Sequence, residues 1–418
     1  MRRISFLLIA NIVVGVAPVG AASLHAFATS TIGTGDLRSW PEVAGTNLAG
    51  LAAADGICEA RANGANLANS SDYVAWLSDR DNDAYCRVFG LSGKKADNCG
   101  QASLPIGAGP WLRVDDVPFA GTIDEALSAN LVYSPLNVDE FGTHFVIGAE
   151  SFTSTDIDGT FNMAFFDTGD CQYWSTTVDL SGIPSLGSNV SSAQSWTFNG
   201  TGNSCDQPHH LMCLEKGFGT PLNGHSQFGH REAFVTSTDV TGDLNGIVGA
   251  DATCQSLAAS ANLWQPGSFK ALLASSALGL NITDRIQFDG PWFRRDGLLF
   301  AHDKAELVNG AVTLPLNVTE TGDYLGISVG LTGATASGAP KPDFDCGAWA
   351  LDPGASQASG ALANSIAFEG SGGHNWLDVA ELSCSAPPQP GSWSRKLFCV
   401  SDSDVIFHDE FRELPLAP

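Results

Sequence analysis

Several stretches of the chain combine residue types that could do chemistry. Gly326-Ile327-Ser328-Val329-Gly330 fits G-x-S-x-G, in which a strand and a sharp turn would present Ser328 as a nucleophile ahead of a helix. Asp79-Arg80-Asp81-Asn82-Asp83 opens like a calcium loop, and Asp156-Ile157-Asp158-Gly159 and Asp239 to Asp243 are further acidic turns with the hard oxygen ligands that calcium takes. His209-His210 places two imidazoles side by side, and Asp170 and Asp345 each precede a cysteine. In a hydrolase those two aspartates would be the first suspects for acid–base work.

The flanking residues weaken each pattern. Leu331 to Gly338 is too rich in Gly, Thr and Ser to form the helix an exposed nucleophile needs, so G-x-S-x-G reads as chance. An EF-hand loop requires Gly at its sixth position and Glu at its twelfth, where this chain has Ala84 and Gly90. Solvated acidic turns are the first reading there, and calcium is the only cofactor left in view. Adjacent histidines point in different directions, which favours a structural role over a shared metal. For Asp170 and Asp345 the expected role is hydrogen bonding beside the cysteine. No catalytic residue is assigned, and no ligand-binding or metal-binding residue.

The chain has 45 Asp and Glu against 20 Lys and Arg, a formal net charge of −25. Nucleic-acid binding needs clustered basic residues and is excluded as the leading reading. Arg2 and Arg3 lead an apolar run from Ile4 to Val16, followed by the small residues Val19-Gly20-Ala21-Ala22, the pattern of a signal peptide over residues 1–22. No later apolar run approaches the length of a transmembrane helix. The expected location is therefore secreted, extracellular or surface-associated, where ten cysteines read as five disulfides.

The elements that must position these residues come in two copies. Phe27 to Leu37 matches Phe234 to Leu244, and Gly50 to Cys58 matches Gly246 to Cys254. Gly109-Pro110-Trp111 matches Gly290-Pro291-Trp292, Pro135 to Gly142 matches Pro315 to Gly322, and Asp170 to Trp174 matches Asp345 to Trp349. A period of about 190 residues is too long for a solenoid, so each repeat should be a domain with its own core. The expected division is a leader at 1–22, domain one at 23–217, a linker at 218–230, domain two at 231–402 and a tail at 403–418.

Each repeat reads as α+β. A strand at Ala26–Thr31 or Ala233–Thr238 enters a helix carrying Leu51, Ala54, Cys58 and Ala62, or Ile247, Ala250, Cys254 and Leu257, on one face, with Pro266-Gly267 stopping this helix in repeat two. Short strands follow at Tyr73–Ser78 and Phe269–Ala274. Capping boxes at Thr122–Glu125 and Asp303–Glu306 start a second helix, and closing strands run over Leu211–Glu215 and Lys396–Ser401. The cysteine order suggests nesting. Cys58–Cys213 and Cys254–Cys399 would tie the ends of each repeat, with Cys171–Cys205 and Cys346–Cys384 inside them. Cys86 and Cys99, which repeat two lacks, would pair with each other. Trp111, Trp292, Trp174, Trp349, Trp196 and Trp376 recur in both repeats and read as core.

The helix G-x-x-x-A-D-x-x-C at Gly246–Cys254, then Phe269–Leu273, Asp284-Arg285, Asp303–Leu307, Cys346 with Trp349 and the closing Cys384 and Cys399 together resemble endostatin, the C-terminal fragment of certain collagens. A bacterial domain of unknown function shares the pattern. Repeat one adds Ser204-Cys205, His209-His210 and Cys213-Leu214-Glu215, similar to the endostatin ending. The resemblance implies two tandem C-type lectin-like domains. The Glu-Pro-Asn, Gln-Pro-Asp and Trp-Asn-Asp motifs of calcium-dependent sugar sites are missing, with Gln207-Pro208-His209 the nearest approach. The net charge of −25 opposes the heparin binding of endostatin, and His25, His225 and His230 do not match its zinc ligands residue by residue.

The expectation is a secreted, non-enzymatic binding protein for an extracellular glycan or surface protein, with its binding loops between the second helix and the inner cysteine. The alternatives are a structural or adhesive envelope component and, less favoured, an uncharacterised hydrolase.

Overall fold

The computed structural model describes residues 23–145, 148–162, 169–178, 182–222, 231–309, 312–325, 328–350, 357–362, 368–369, 373–374, 376–378, 380–384 and 394–403. The expected leader, His225 and His230, Gly326 and Ile327, and the tail beyond Ser403 lie outside these residues. The chain is mixed α+β and is tied by five disulfides.

One sheet forms from residues 24–215 and a second from residues 231–401, with the same strand order except that the second gains an edge strand, Ala380–Ser383. In the first, Leu24–Ala28 runs parallel to Trp111–Arg113 and antiparallel to the closing strand His210–Glu215, which Tyr73–Ala75 and Glu150–Phe152 also flank. In the second, Arg231–Val235 lies between Trp292–Arg294 and the closing strand Ser394–Ser401, with Phe269–Ala271 and Ser328–Leu331 in the matching places. The registers agree residue for residue. Phe27 and Ala75 oppose Cys213, as Phe234 and Ala271 oppose Cys399.

The opening strands begin and end earlier than their hydrophobic pattern suggests, and a threonine hydroxyl is the reason for the early end. Thr29 N–H donates to Leu211 O at 2.9 Å, but Leu211 N–H donates back to Thr29 Oγ1 at 3.0 Å, so a side-chain oxygen takes the place of the ladder carbonyl. Thr236 does the same with Leu397, at 2.9 and 3.0 Å. The strands expected at 73–78 and 269–274 are also shorter. After one more rung, Ser78 N–H turns to Thr153 O and Ala274 N–H to Thr332 O.

The first helices, Gly50–Gly64 and Gly246–Ser260, end on one device. Asn66 and Asn262 adopt left-handed φ of 58° and 55°. Leu67 N–H then returns to Ala62 O and Leu263 N–H to Ala258 O, both at 2.9 Å, a Schellman ending. The sequence Ala-Asn-Leu therefore stops the first helix of repeat two, and Pro266-Gly267 opens a separate turn beyond it. The aspartate of A-D-x-x-C pins each helix to the sheet. Asp55 Oδ1 accepts Ala75 N–H and Asp251 Oδ1 accepts Ala271 N–H, both at 2.9 Å. Arg87 neutralises Asp55, and Arg285 pairs with Asp251 at 2.5 Å.

The second helix of repeat one has a full capping box between Thr122 and Glu125. In repeat two, Asp303 Oδ1 accepts Glu306 N–H at 2.9 Å, but the Glu306 carboxylate reaches past the cap to His302 N–H at 2.7 Å and His302 Nδ1 at 2.8 Å.

The disulfides are Cys58–Cys213, Cys171–Cys205, Cys254–Cys399, Cys346–Cys384 and Cys86–Cys99. The outer bonds close 155 and 145 residues, each contributing about 5 kcal/mol in the chain-entropy treatment. The paired tryptophans are core. Trp111 and Trp292 are fully buried and donate to Glu215 O and Ser401 O on the closing strands, at 2.8 and 2.9 Å. Trp174 and Trp349 donate to Ser78 O and Ala274 O, at 3.0 and 2.8 Å.

Candidate functional site

A cleft of about 190 Å³ lies where the repeats meet, lined by Leu131 and Tyr133 of repeat one, Leu222 of the connector, and Asp296, Leu298 and Tyr324 of repeat two. The fully buried Arg294 side chain pairs with Asp296 of its lining. Arg294 follows Trp292 on the strand that pairs with the opening strand, so the sheet fixes its position. Its Nε donates to Asp296 Oδ1 at 3.2 Å and its Nη2 contacts Asp296 Oδ2. Nη1 donates to three acceptors: Pro315 O at 2.8 Å, Asn317 Oδ1 at 2.9 Å and, across the junction, Tyr133 O at 2.7 Å. Asn317 Nδ2 crosses as well, donating to Ser192 Oγ at 2.9 Å and Val132 O at 3.2 Å.

The aromatic rims meet edge to face. The Tyr133 and Tyr324 rings are 6.0 Å apart at 82°, and Tyr324 OH donates to Asp296 Oδ2 at 2.6 Å. Burial pushes the Tyr133 phenol up to about 12, helped by the negative Asp296 and Glu125 and opposed by Arg294. Burial likewise raises Tyr324 far above its ordinary value, with Arg294 opposing and Asp296 adding to the rise. Burial works against the Arg294 charge, but Asp296 outweighs it and holds the guanidinium above its usual pKa. Both phenols therefore stay protonated, and Tyr324 donates to Asp296. Asp296 is engaged by Arg294, Tyr324 and the Leu298 N–H, and the arrangement suits binding rather than proton transfer.

The residues first singled out for chemistry lie elsewhere, and all but Ser328, whose buried Oγ has no hydrogen-bond partner among the described residues, are engaged. Ser328 opens a strand, opposite Ser394 and 2% exposed, with strand rather than helix after it. Asp170 is fully buried and takes Arg80 Nε at 2.9 Å and Nη2 at 2.6 Å. Its counterpart Asp345 takes Ser275 Oγ at 2.7 Å and Ala277 N–H at 3.1 Å. Burial pushes both carboxyls up, but these hydrogen bonds outweigh it and hold both below the ordinary value.

The acidic turns are likewise occupied. Asp79 Oδ1 caps Asp81 N–H at 2.9 Å and Asn82 N–H at 2.7 Å, while Asp83 receives Lys94 Nζ at 3.2 Å and the N–H groups of Lys95 and Phe161 at 2.8 and 2.9 Å. Asp158 closes its own turn on Thr160, and Asp239 pairs with Lys396 at 2.8 Å. Among the described residues no group of three or more His, Cys, Asp or Glu is placed to hold a metal ion. His209 and His210 diverge as adjacent residues on a strand must. His209 packs on Phe152 and bonds Asn203, and His210 Nδ1 bonds Thr29 O at 2.6 Å.

No protein-family model matches the chain, and no curated protein matches it. What the junction does must therefore be argued from its own geometry. Tyr133 and Tyr324 fall within the loops expected to bind, between the second helix and the inner cysteine. Asp296, Leu298 and Leu222 do not. The readable signal for Asp296 was the recurrence of Arg-x-Asp after Gly-Pro-Trp, at Arg113–Asp115 and Arg294–Asp296.

Proposed function

We propose that the protein is an exported, non-enzymatic binding protein built from two tandem C-type lectin-like repeats similar to endostatin, recognising an extracellular glycan or a surface protein. Five disulfides support an oxidising destination, and no helix of the described residues is long and apolar enough to cross a membrane. The observation that carries the binding reading is the fate of the reactive side chains. Asp170 and Asp345 are absorbed into the frame by hydrogen bonds and Ser328 is shut inside a strand, whereas the protonated Tyr133 and Tyr324 flank a cleft. A cleft of about 190 Å³ is below the usual range for a drug-sized ligand and suits a single ring or side chain.

The test is a glycan array and an extracellular-protein pull-down with the purified protein, repeated with Tyr133→Ala. A ligand retained at micromolar concentration and weakened at least about tenfold by the substitution supports the reading, a loss of about 1.4 kcal/mol. Failure of both screens to retain a ligand sinks it.

A further inference from the structure

The cleft between the repeats has room for one side chain or one ring, and its hydrogen-bonding groups decide which. Leu131, Leu222 and Leu298 give it hydrocarbon walls. Asp296 is its carboxylate, and both oxygens are taken, Oδ1 by Arg294 Nε at 3.2 Å and Leu298 N–H at 3.1 Å, Oδ2 by Arg294 Nη2 and by Tyr324 OH at 2.6 Å. These donors match the roughly four lone-pair sites of a carboxylate, which leaves it nothing to offer a ligand. The backbone of Leu131, Tyr133 and Leu298 is closed as well. Leu131 O accepts Gly121 N–H at 3.0 Å, Tyr133 O accepts Arg294 Nη1 at 2.7 Å, and Leu298 O accepts Arg294 N–H at 2.8 Å. Leu131 N–H donates to Glu125 O at 3.2 Å and Tyr133 N–H to Phe119 O at 2.8 Å. Among the described residues, the Tyr133 hydroxyl is the lining side-chain group left without a hydrogen-bond partner.

We propose that the cleft takes an apolar anchor side chain, of phenylalanine or leucine, from a basic segment of a partner protein rather than a sugar. The inference rests on the reading of this cleft as the ligand site. A sugar ring carries a hydroxyl or an ether oxygen at nearly every carbon, and each one brought among the leucines would exchange a hydrogen bond to water for none. A hydrocarbon side chain meets no such loss and gains from the area it buries. Tyr133 and Tyr324 favour an aromatic anchor, because a further ring can meet either of them edge to face. Two acidic groups stand beside the cleft. Glu125, whose charge acts on Tyr133, caps its own helix, and Asp323, next to Tyr324, accepts Thr321 Oγ1 at 2.6 Å. Neither makes an ion pair among the described residues, whereas the buried Arg294 is already neutralised by Asp296. Lysine or arginine on either side of the anchor would therefore be drawn to the rim, in keeping with the net charge of −25.

Ligand-observed NMR titration of the purified protein at low salt tests this, with the blocked peptides Lys-Gly-Phe-Gly-Lys, Lys-Gly-Ala-Gly-Lys and Glu-Gly-Phe-Gly-Glu and with methyl glycosides of glucose, galactose and N-acetylglucosamine. The expected result is saturable binding of the first peptide with a Kd of about 1 mM, at least about tenfold weaker binding of the other two, and no binding of the glycosides. Leu222→Lys, on the connector and outside both sheets, should abolish the binding while the melting temperature stays unchanged. Tyr133→Phe should leave it intact, because a hydrocarbon anchor makes no use of the hydroxyl. Equal affinity of the first peptide and either control, or loss of its binding in Tyr133→Phe, overturns the proposal. A glycoside that binds the parent but not Leu222→Lys also overturns it while leaving the cleft as the ligand site, whereas a protein that binds none of these probes removes both.

Discussion

Asn137 and Asn317 hold the same position in the two repeats, and only Asn317 has its amide nitrogen satisfied, by Val132 O and Ser192 Oγ of the other repeat. One motif therefore serves as frame in one repeat and as junction in the other.

The Arg294–Asp296 pair sets the first prediction. Its guanidinium is fully buried, so removing the carboxylate strands a charge rather than merely deleting a contact. Asp296→Ala is expected to lower unfolding stability by about 3 to 5 kcal/mol. Asp115→Ala in repeat one, whose carboxylate is 24% exposed, should cost less. Urea unfolding of the two variants compares them directly.

Acid should loosen the end of repeat one. Burial, reinforced by neighbouring His210, holds His209 down to about 4, against an ordinary 6.5. Above pH 6.5 the ring is neutral folded or unfolded, and it contributes no pH dependence. Between 6.5 and 4 only the unfolded chain takes the proton, so stability falls as pH falls, by about 3 kcal/mol in total. Asp170 and Asp345, held low, contribute stability above their unfolded pKa that is lost only as pH drops through their still lower folded values. Melting temperature against pH should fall first as acid is added below 6.5 and again further down, and His209→Gln should shrink the first step without removing it, because burial also holds His210 below its ordinary value.

Much of the frame was legible because it repeats. Two matched sets of cysteines in the same order, a helix with A-D-x-x-C and a closing strand after the inner cysteine leave few ways to pair, and the structure joins the cysteines in that nested order. Element ends were less legible, because side chains settle them. The hydroxyls of Thr29 and Thr236 end strands that hydrophobicity would extend, and the left-handed Asn262 ends a helix before the expected proline. The junction was hidden for a different reason. Arg-x-Asp and Pro-Leu-Asn are present in both repeats, so their recurrence reads as frame, and nothing in either copy tells which one faces its neighbour.

The disulfides separate by loop length. Replacing Cys86 and Cys99, which close 13 residues, should cost about 3 kcal/mol, against about 5 for Cys58 and Cys213. Denaturant midpoints of the paired Cys→Ser variants test the order, and equal losses would contradict it.

Chelation should change little. The carboxylates of Asp79, Asp83 and Asp158 already accept N–H, ammonium or hydroxyl donors, so a calcium ion would have to displace several hydrogen bonds. The melting temperature is expected to agree within about 1 °C with calcium and with a chelator, since only a ligand of the folded state shifts it. A calcium-dependent rise of several degrees would show these turns to be ligands after all.

The contact of Arg294 with Tyr133 O also has a tether. Carried on one chain, the two faces meet at an effective concentration of the order of millimolar, whatever the dilution of the protein. The same faces on separate molecules have no such help. Contact within the chain therefore persists in dilute medium.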